Sequence, residues 1–177
     1  WSDFFANMLT MDTSVANPVN RPMGTFASGE PPFGSTGIRP APYDTSFAVN
    51  GYTYDDVNNT SGISEPHGIG FVWATMLWDM TWALIDQYGF DPNIYSGTGG
   101  NNIAMQLVID GMKLQPCNPG FVDGRNALLA ADMATTNGEN QCLIWDAFAK
   151  RGLGLLAQQR DANNIWDSVE SFDIPAD

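Results

Sequence analysis

The chain has few basic residues and little that titrates near neutral pH. Its 177 residues include one histidine, His67, and two cysteines, and 7 Lys and Arg stand against 20 Asp and Glu, for a net charge of −13. Such a charge repels phosphate backbones and anionic lipid headgroups, and no cluster of Lys and Arg opposes it locally. The composition therefore argues against nucleic acid and membrane surfaces as partners.

Long uninterrupted apolar runs are also lacking. The longest apolar stretch, from Phe71 to Ile85, is broken by Asp79, and we expect it to be too short to span a bilayer. The chain starts with neither Met nor a basic signal segment, so we expect a mature or excised piece of a soluble protein. A chain of 177 residues with 44% hydrophobic residues is long enough to form one domain with its own core.

The two cysteines, Cys117 and Cys142, flank one predicted helix, and a single disulfide between them is the favoured interpretation. Closing that loop would add roughly 3–4 kcal/mol of stability in the chain-entropy model. The pairing would also indicate an oxidising compartment. Two reduced, buried thiols are the alternative, because an even number of cysteines is weak evidence by itself.

The segment from His67 to Ile85 predicts the central helix of the domain. Its sequence is HGIGFVWATMLWDMTWALI. Apolar residues form an i, i+3, i+4 stripe and cover the opposite face as well, which is typical of a helix packed on several sides. Ser64 can cap this helix and Pro66 needs no N–H partner, so His67 is expected in the first turn, beside unpaired backbone donors. A histidine in that position can serve chemistry.

The remaining pattern predicts a mainly α fold with one long irregular region. Residues 11–62 are rich in Pro, Gly, Asn, Ser and Thr, and loops of that length are usually functional, so we expect them to line a cleft. We expect residues 1–160 to form a helical domain and residues 161–177 an acidic tail or linker. Further helices are predicted at about 100–114, from about 118, and near 139–152.

Several long strings resemble the fungalysin family of secreted zinc metalloendopeptidases, relatives of thermolysin. They are HGIGFVWATMLWDM, GGNNIAMQLVIDGMKLQPCNPGFVDGRNALLAADMA and GENQCLIWDAFAKRGLG. The opening WSDFFA resembles the remainder of the family's E-G-W-S-D motif, and GIRPAPYDTS resembles the segment that lines its cleft. The resemblance extends from Trp1 to about Gly154. It implies the helical C-terminal lobe of a secreted, extracellular peptidase, with the N-terminal lobe of the same domain and a protein or peptide substrate as partners.

The resemblance implies a zinc enzyme whose metal ligands are absent from this chain. In the family, zinc is held by two histidines of an H-E-x-x-H helix and by the glutamate of E-G-W-S-D, and these are expected upstream of Trp1. One histidine and two cysteines cannot build a three-ligand catalytic site, so we expect the isolated chain to bind no catalytic zinc. Calcium is a weaker prediction: Asp55, Asp56 and Asn58 cluster oxygen atoms, although a solvated turn is the more ordinary interpretation.

Three residues match functional positions of the family. Asp3 matches the aspartate that hydrogen-bonds a zinc-binding histidine; otherwise it would simply favour a helix turn. His67 matches the histidine that donates to the oxyanion as water attacks the peptide carbonyl; otherwise it would be a core or surface residue. Arg39 matches the arginine that binds the substrate carbonyl beyond the scissile bond; otherwise it would be a solvated loop residue. Glu65 is the nearest candidate to orient His67, at a spacing unlike that of thermolysin relatives.

The implied activity is hydrolysis of peptide bonds by zinc-activated water. This chain would supply the oxyanion donor and one wall of the substrate pocket, while the zinc ligands and the general base lie upstream. The alternative is a non-catalytic helical binding or structural module, or an inactive fragment.

Overall fold

A computed structural model describes residues 1–58 and 63–176, and these residues are mainly helical. Beyond isolated β-bridges, the described part of the chain forms no strand. This confirms the predicted fold class. The helices are α1 Ser2–Leu9, α2 Thr25–Ser28, α3 His67–Tyr88, α4 Gly100–Leu114, α5 Phe121–Thr136 and α6 Gln141–Lys150, with a 3₁₀ helix at Tyr54–Asn58.

Helix α3 forms the centre of the domain. It contacts α1, α4, α6 and the 3₁₀ helix, so neighbours surround it on several sides. Phe71, Leu77 and Trp78 are buried, and the Trp78 indole N–H donates to the carbonyl of Val19 at 2.9 Å. The absence of a polar face, visible in the sequence, is therefore explained by packing on all sides.

Helix α3 is longer than the apolar run suggested. It continues to Tyr88, and by length and composition alone its 22 residues could cross a bilayer, although the apolar stretch from Phe71 to Ile85 within it is shorter. The helix is longer than the apolar stretch because it begins at His67, before Phe71, and continues beyond Ile85 to Tyr88. In the structure, 78% of its most apolar window is buried within the protein, as in the core helix of a soluble domain.

The start of one later helix, α5, differs from the pattern-based boundary. Helix α4 runs from Gly100 to Leu114, as predicted, but α5 begins at Phe121 rather than near Asn118. Its start is fixed by a capping interaction in which the Gly120 N–H donates to the Asp123 carboxylate at 3.1 Å. The choice between these two starts depends on a side-chain contact that periodicity does not reveal.

The close approach of α3 and α4 depends on Gly100. A Cβ at this buried position would collide with the backbone of Leu84 and Ile85. We expect Gly100→Ala to lower the free energy of unfolding by about 2–3 kcal/mol, because the two helices must separate. Gly70 in α3 is the matched control: a Cβ there meets no atom within 4 Å, so Gly70→Ala should raise stability by about 0.5–1 kcal/mol. Urea unfolding of both variants checks this, and equal effects would contradict it.

A buried ion cluster joins α6 to the core. The Asp79 side chain, 2% exposed, accepts hydrogen bonds from Lys150, at 2.7 Å, and from Arg151, whose side chain is fully buried. Arg151 also donates to the carbonyl oxygens of Asn50, at 2.5 Å, and Asp44, at 3.0 Å. One guanidinium therefore connects the end of α6, the centre of α3 and the loop that precedes α3.

The predicted loop region contains some regular structure. Besides α2 and the 3₁₀ helix, it forms isolated bridges between Arg21 and Tyr43 and between Met23 and Gly37. Its last residues, 59–62, lie outside the described residues. The cleft-lining role of residues 11–62 stays a prediction.

The C-terminal segment is hydrogen-bonded to the helical body. The Gly154 N–H donates to the carbonyl of Ser171 at 2.6 Å, and the Thr53 hydroxyl donates to the Glu170 carboxylate at 2.9 Å. The side chain of Asn58 exchanges two hydrogen bonds with the backbone of Ser168. These contacts hold the described part of residues 161–177 against the loop region. The domain division at residue 160 stays a prediction.

The expected disulfide is not formed. Cys117 and Cys142 are free thiols, and both residues are exposed, so the interpretation as a bonded pair was wrong. Cys117 precedes α5, whereas Gln141, next to Cys142, donates to the carbonyl of Leu129, more than two turns along α5. Two turns of helix measure about 11 Å, whereas a disulfide needs Cα atoms within about 7 Å. Helix α5 therefore keeps the two thiols apart.

Candidate active site

Asp3 and Arg39 form a bidentate ion pair. Asp3 lies in the first turn of α1, and Arg39 lies in the loop region 36 positions later. The Arg39 Nε–H donates to Asp3 Oδ2 at 2.6 Å, and Nη2 donates to Oδ1 at 2.9 Å. Both side chains are 14% exposed. A bidentate pair fixes the planes of both groups as well as their separation. The structure thus brings together two residues that the sequence assigned to separate roles.

Tyr43 completes this cluster. Its hydroxyl donates to Asp3 Oδ2 at 2.5 Å, and the residue is fully buried. The backbone of Tyr43 exchanges two hydrogen bonds of 2.8 Å with Arg21, and the Arg21 side chain donates to the Thr10 hydroxyl at the end of α1. The loop that carries Arg39 is therefore held to α1 at Asp3 and again at Thr10.

The charges of the cluster stabilise one another. Burial alone would raise the pKa of Asp3, but hydrogen bonds from Arg39 and Tyr43 outweigh it, so the pKa of Asp3 lies below its usual value. The hydrogen bond to Asp3 raises the pKa of Arg39. Burial, followed by the bond to the Asp3 carboxylate, raises the pKa of Tyr43 well above its ordinary value. The hydroxyl of Tyr43 therefore remains a donor at neutral pH.

His67 is the first residue of α3 and is exposed. Pro66 is the N-cap residue, a position where its missing N–H costs nothing. The predicted cap by the Ser64 side chain is not formed, and the Ser64 carbonyl accepts the Gly68 N–H at 2.6 Å instead. Among the described residues, no hydrogen bond connects the His67 ring with Glu65, Asp3 or Arg39. The His67 side chain is exposed at the start of α3.

Aromatic packing connects the histidine helix with the Asp3 cluster. Phe71 lies one turn after His67 in α3, and its ring centroid is 5.2 Å from that of Tyr43 and 5.1 Å from that of Tyr52. Tyr43 in turn bonds to Asp3. The first turns of α1 and α3 are therefore held together through Tyr43.

An open cavity of about 430 Å³ lies between the later part of α1 and the loop region, and neither Asp3, Arg39 and Tyr43 nor His67 lines it. Ala6, Asn7 and Thr10 line it on the side of α1, and the other lining residues come from the loop region. These include Arg21 and the apolar residues Met23, Phe26 and Phe33. The cavity is large enough for an apolar side chain of a peptide.

The oxygen atoms proposed for calcium are used in local hydrogen bonds. The Asp56 carboxylate accepts the N–H of Thr53 at 2.7 Å, and the Asp55 carboxylate accepts from the Asn58 amide at 2.8 Å. These contacts close the 3₁₀ helix. More generally, within residues 1–58 and 63–176 no group of three His, Cys, Asp or Glu side chains is placed to hold a metal ion.

The donor set of this chain does not fit a catalytic zinc site. Such a site needs three protein ligands, most often histidine and carboxylate. The single histidine is at the start of α3, and the two carboxylate oxygen atoms of Asp3 are already hydrogen-bonded to Arg39 and Tyr43. Within residues 1–58 and 63–176, the side chains thus offer hydrogen-bond donors and acceptors but no set of three ligands for the metal.

Sequence reasoning did not single out Tyr43. The residue lies in the quoted segment GIRPAPYDTS, four positions after Arg39. A tyrosine within a Pro-rich loop is one available signal, because a buried phenol needs a partner for its hydroxyl. The identity of that partner could not be read from the sequence.

Comparison with known proteins decides the family. The sequence profile of the fungalysin metallopeptidases (M36) matches residues 1–157. The chain belongs to this family. Fungalysin relatives with similar sequences include extracellular metalloproteinase 2 of Arthroderma gypseum, which is 43% identical over 99% of the chain. The extracellular metalloproteinase MEP of Neosartorya fischeri is 46% identical, and that of Aspergillus fumigatus 45% identical, each over 93% of the chain.

The chain spans about a quarter of the length of these fungalysin relatives. It covers 27% of the Arthroderma gypseum protein and 26% of the Neosartorya fischeri protein. The match to residues 1–157 confirms, at the level of the family, the resemblance seen in the sequence. The roles of Asp3, Arg39 and His67 are not tested by the comparison.

Proposed function

We propose that this chain is part of a secreted zinc endopeptidase and forms one wall of its active site. The observation that carries this proposal is the bidentate pair between Asp3 and Arg39 in a chain of the fungalysin family. The family implies zinc in the whole enzyme, and the extracellular names of the relatives support secretion.

Arg39 is suited to bind a peptide carbonyl. A guanidinium has five N–H donors, of which two, at Nε and Nη2, are used by Asp3. The described residues show no partner for the remaining donors, including both at Nη1, and in this proposal they bind the substrate. Because the bidentate pair fixes the plane of the guanidinium, these donors have a fixed direction. Arg39 therefore binds and orients the substrate.

Asp3 and His67 have complementary roles in this proposal. Asp3 accepts a hydrogen bond from a metal-binding histidine in the rest of the protein and so fixes the orientation of that ring. His67 donates a hydrogen bond to the oxyanion that forms when water attacks the peptide carbonyl. The metal, held outside this chain, supplies the activated water.

The test is peptide hydrolysis by the full-length protein that contains this chain. We expect cleavage of an internally quenched peptide that a zinc chelator abolishes, and we expect Arg39→Ala to lower kcat/KM about 10- to 100-fold, mainly through KM. Lys113→Ala is the control, because Lys113 forms an exposed pair with Asp110 and should leave the rates unchanged.

Two results would contradict the proposal. Equal values of kcat/KM for the Arg39 and Lys113 variants would show that Arg39 does not bind the substrate. A full-length protein that is folded but cleaves no peptide would favour the second candidate, a helical binding or structural module. The exposed aromatic rings of Phe26 and Phe33 beside the cavity are the observation that favours this second candidate.

A further inference from the structure

We propose that Tyr43 is a positioning residue of this active site, which leaves Asp3 Oδ1 as the oxygen that accepts a hydrogen bond from the rest of the enzyme. The proposal rests on the function proposed above for Asp3. It extends that function to a residue that neither the family motif nor the comparisons single out, and it follows from the way three donors divide between two carboxylate oxygens.

The division of donors is asymmetric. Asp3 Oδ2 accepts two hydrogen bonds, from Arg39 Nε at 2.6 Å and from the Tyr43 hydroxyl at 2.5 Å. Oδ1 accepts one, from Arg39 Nη2 at 2.9 Å. A carboxylate has about four acceptor positions, two on each oxygen. Oδ2 is therefore saturated, and the remaining position is on Oδ1.

Without the Tyr43 hydroxyl, the two oxygens would be equivalent. Each would accept one bond from Arg39 and keep one free position, so an incoming N–H could bond to either oxygen. The Tyr43 hydroxyl occupies the second acceptor position of Oδ2, so an incoming N–H can bond only to Oδ1. It also opposes rotation of the carboxylate about its Cβ–Cγ bond, because two different groups hold Oδ2 from different directions.

The position of Tyr43 is itself tightly determined. The residue is fully buried, its backbone is paired with Arg21, and its ring packs against Phe71, one turn after His67. Because the Tyr43 side chain is held in three ways, it keeps its position, and its hydroxyl fixes the position of the Asp3 carboxylate. This rigidity is what a positioning residue needs.

Tyr43→Phe is the test, because it removes the hydroxyl and keeps the ring. In proton NMR spectra of the chain we expect a downfield hydroxyl resonance that is lost in Tyr43→Phe, since the bond to the carboxylate is short and shielded from water. We also expect the Arg39 Nε–H to exchange with solvent about tenfold faster in the variant. In the full-length peptidase, kcat should fall about tenfold, with KM nearly unchanged.

Tyr52→Phe is the matched control. Its ring packs against the same Phe71, but its hydroxyl makes no hydrogen bond that the described residues show, so neither the Arg39 exchange rate nor kcat should change. Thermal unfolding of both variants checks that each is folded. A downfield resonance that persists in Tyr43→Phe, or equal kcat values for the two variants, would overturn the proposal.

The failure of this inference can be told from failure of the proposed function. If the wild-type full-length protein cleaves peptides and Tyr43→Phe has the same kcat, only the proposed role of Tyr43 is contradicted. If the wild-type protein cleaves nothing, the peptidase function falls, and with it the role of Tyr43 in catalysis.

Discussion

Replacing Asp79 by alanine is expected to lower the free energy of unfolding by about 3–5 kcal/mol. The substitution leaves the guanidinium of Arg151 buried without a counter-charge, and Arg151 cannot turn to solvent because it also holds the carbonyls of Asn50 and Asp44. Burial raises the pKa of Asp79 although both cations oppose this, so the carboxylate itself is held at a cost in desolvation. Urea unfolding of the chain measures the loss.

Asp110→Ala is the matched control for the Asp79 prediction. Asp110 pairs with Lys113 on the surface of α4, and the lysine side chain is 68% exposed. Exposed pairs contribute at most about 1 kcal/mol, so this variant should remain close to wild type. If the two substitutions had equal effects, the buried cluster would not be what holds α6 to α3. Replacing Asp79 together with Arg151 by apolar residues should recover part of the loss.

Replacing His67 by alanine in the full-length peptidase is expected to lower kcat by about 10²–10³, with a small change in KM. In the proposed role the imidazole donates to an oxyanion that exists only in the transition state, so its removal should affect the rate more than substrate binding. Hydrolysis of a quenched peptide at saturating substrate measures the effect. Because His67 is exposed and its ring makes no hydrogen bond within the described residues, the unfolding midpoint should not change.

Glu65→Gln provides the control for His67. Glu65 is two residues earlier and exposed, and it was the nearest candidate to orient the imidazole. The described residues show no hydrogen bond between them, so we expect this variant to retain most of the wild-type kcat. If His67→Ala is fully active, the histidine has no role in the reaction. If both variants lose activity to the same extent, Glu65 acts through His67 in the complete enzyme.

Part of the fold could be predicted because it depends on local properties of the chain. The apolar character of α3 on all faces requires a central, multiply packed helix, and the period of residues 100–114 gave the limits of α4. The start of α5 was missed because it depends on the contact between Gly120 and Asp123. The disulfide was predicted from the number of cysteines and their places on either side of one predicted helix, whereas the length and direction of α5 decide whether the thiols can meet.

The sequence by itself determined the family, the helical fold class and the choice of Asp3, Arg39 and His67 as candidates. These follow from strings of neighbouring residues, whose pattern is readable without coordinates. Only the tertiary structure decided that Asp3 and Arg39 are partners and that Tyr43 joins them. Such contacts connect residues some forty positions apart, and they form because packing of the loop region against α1 and α3 determines which donors can reach a carboxylate.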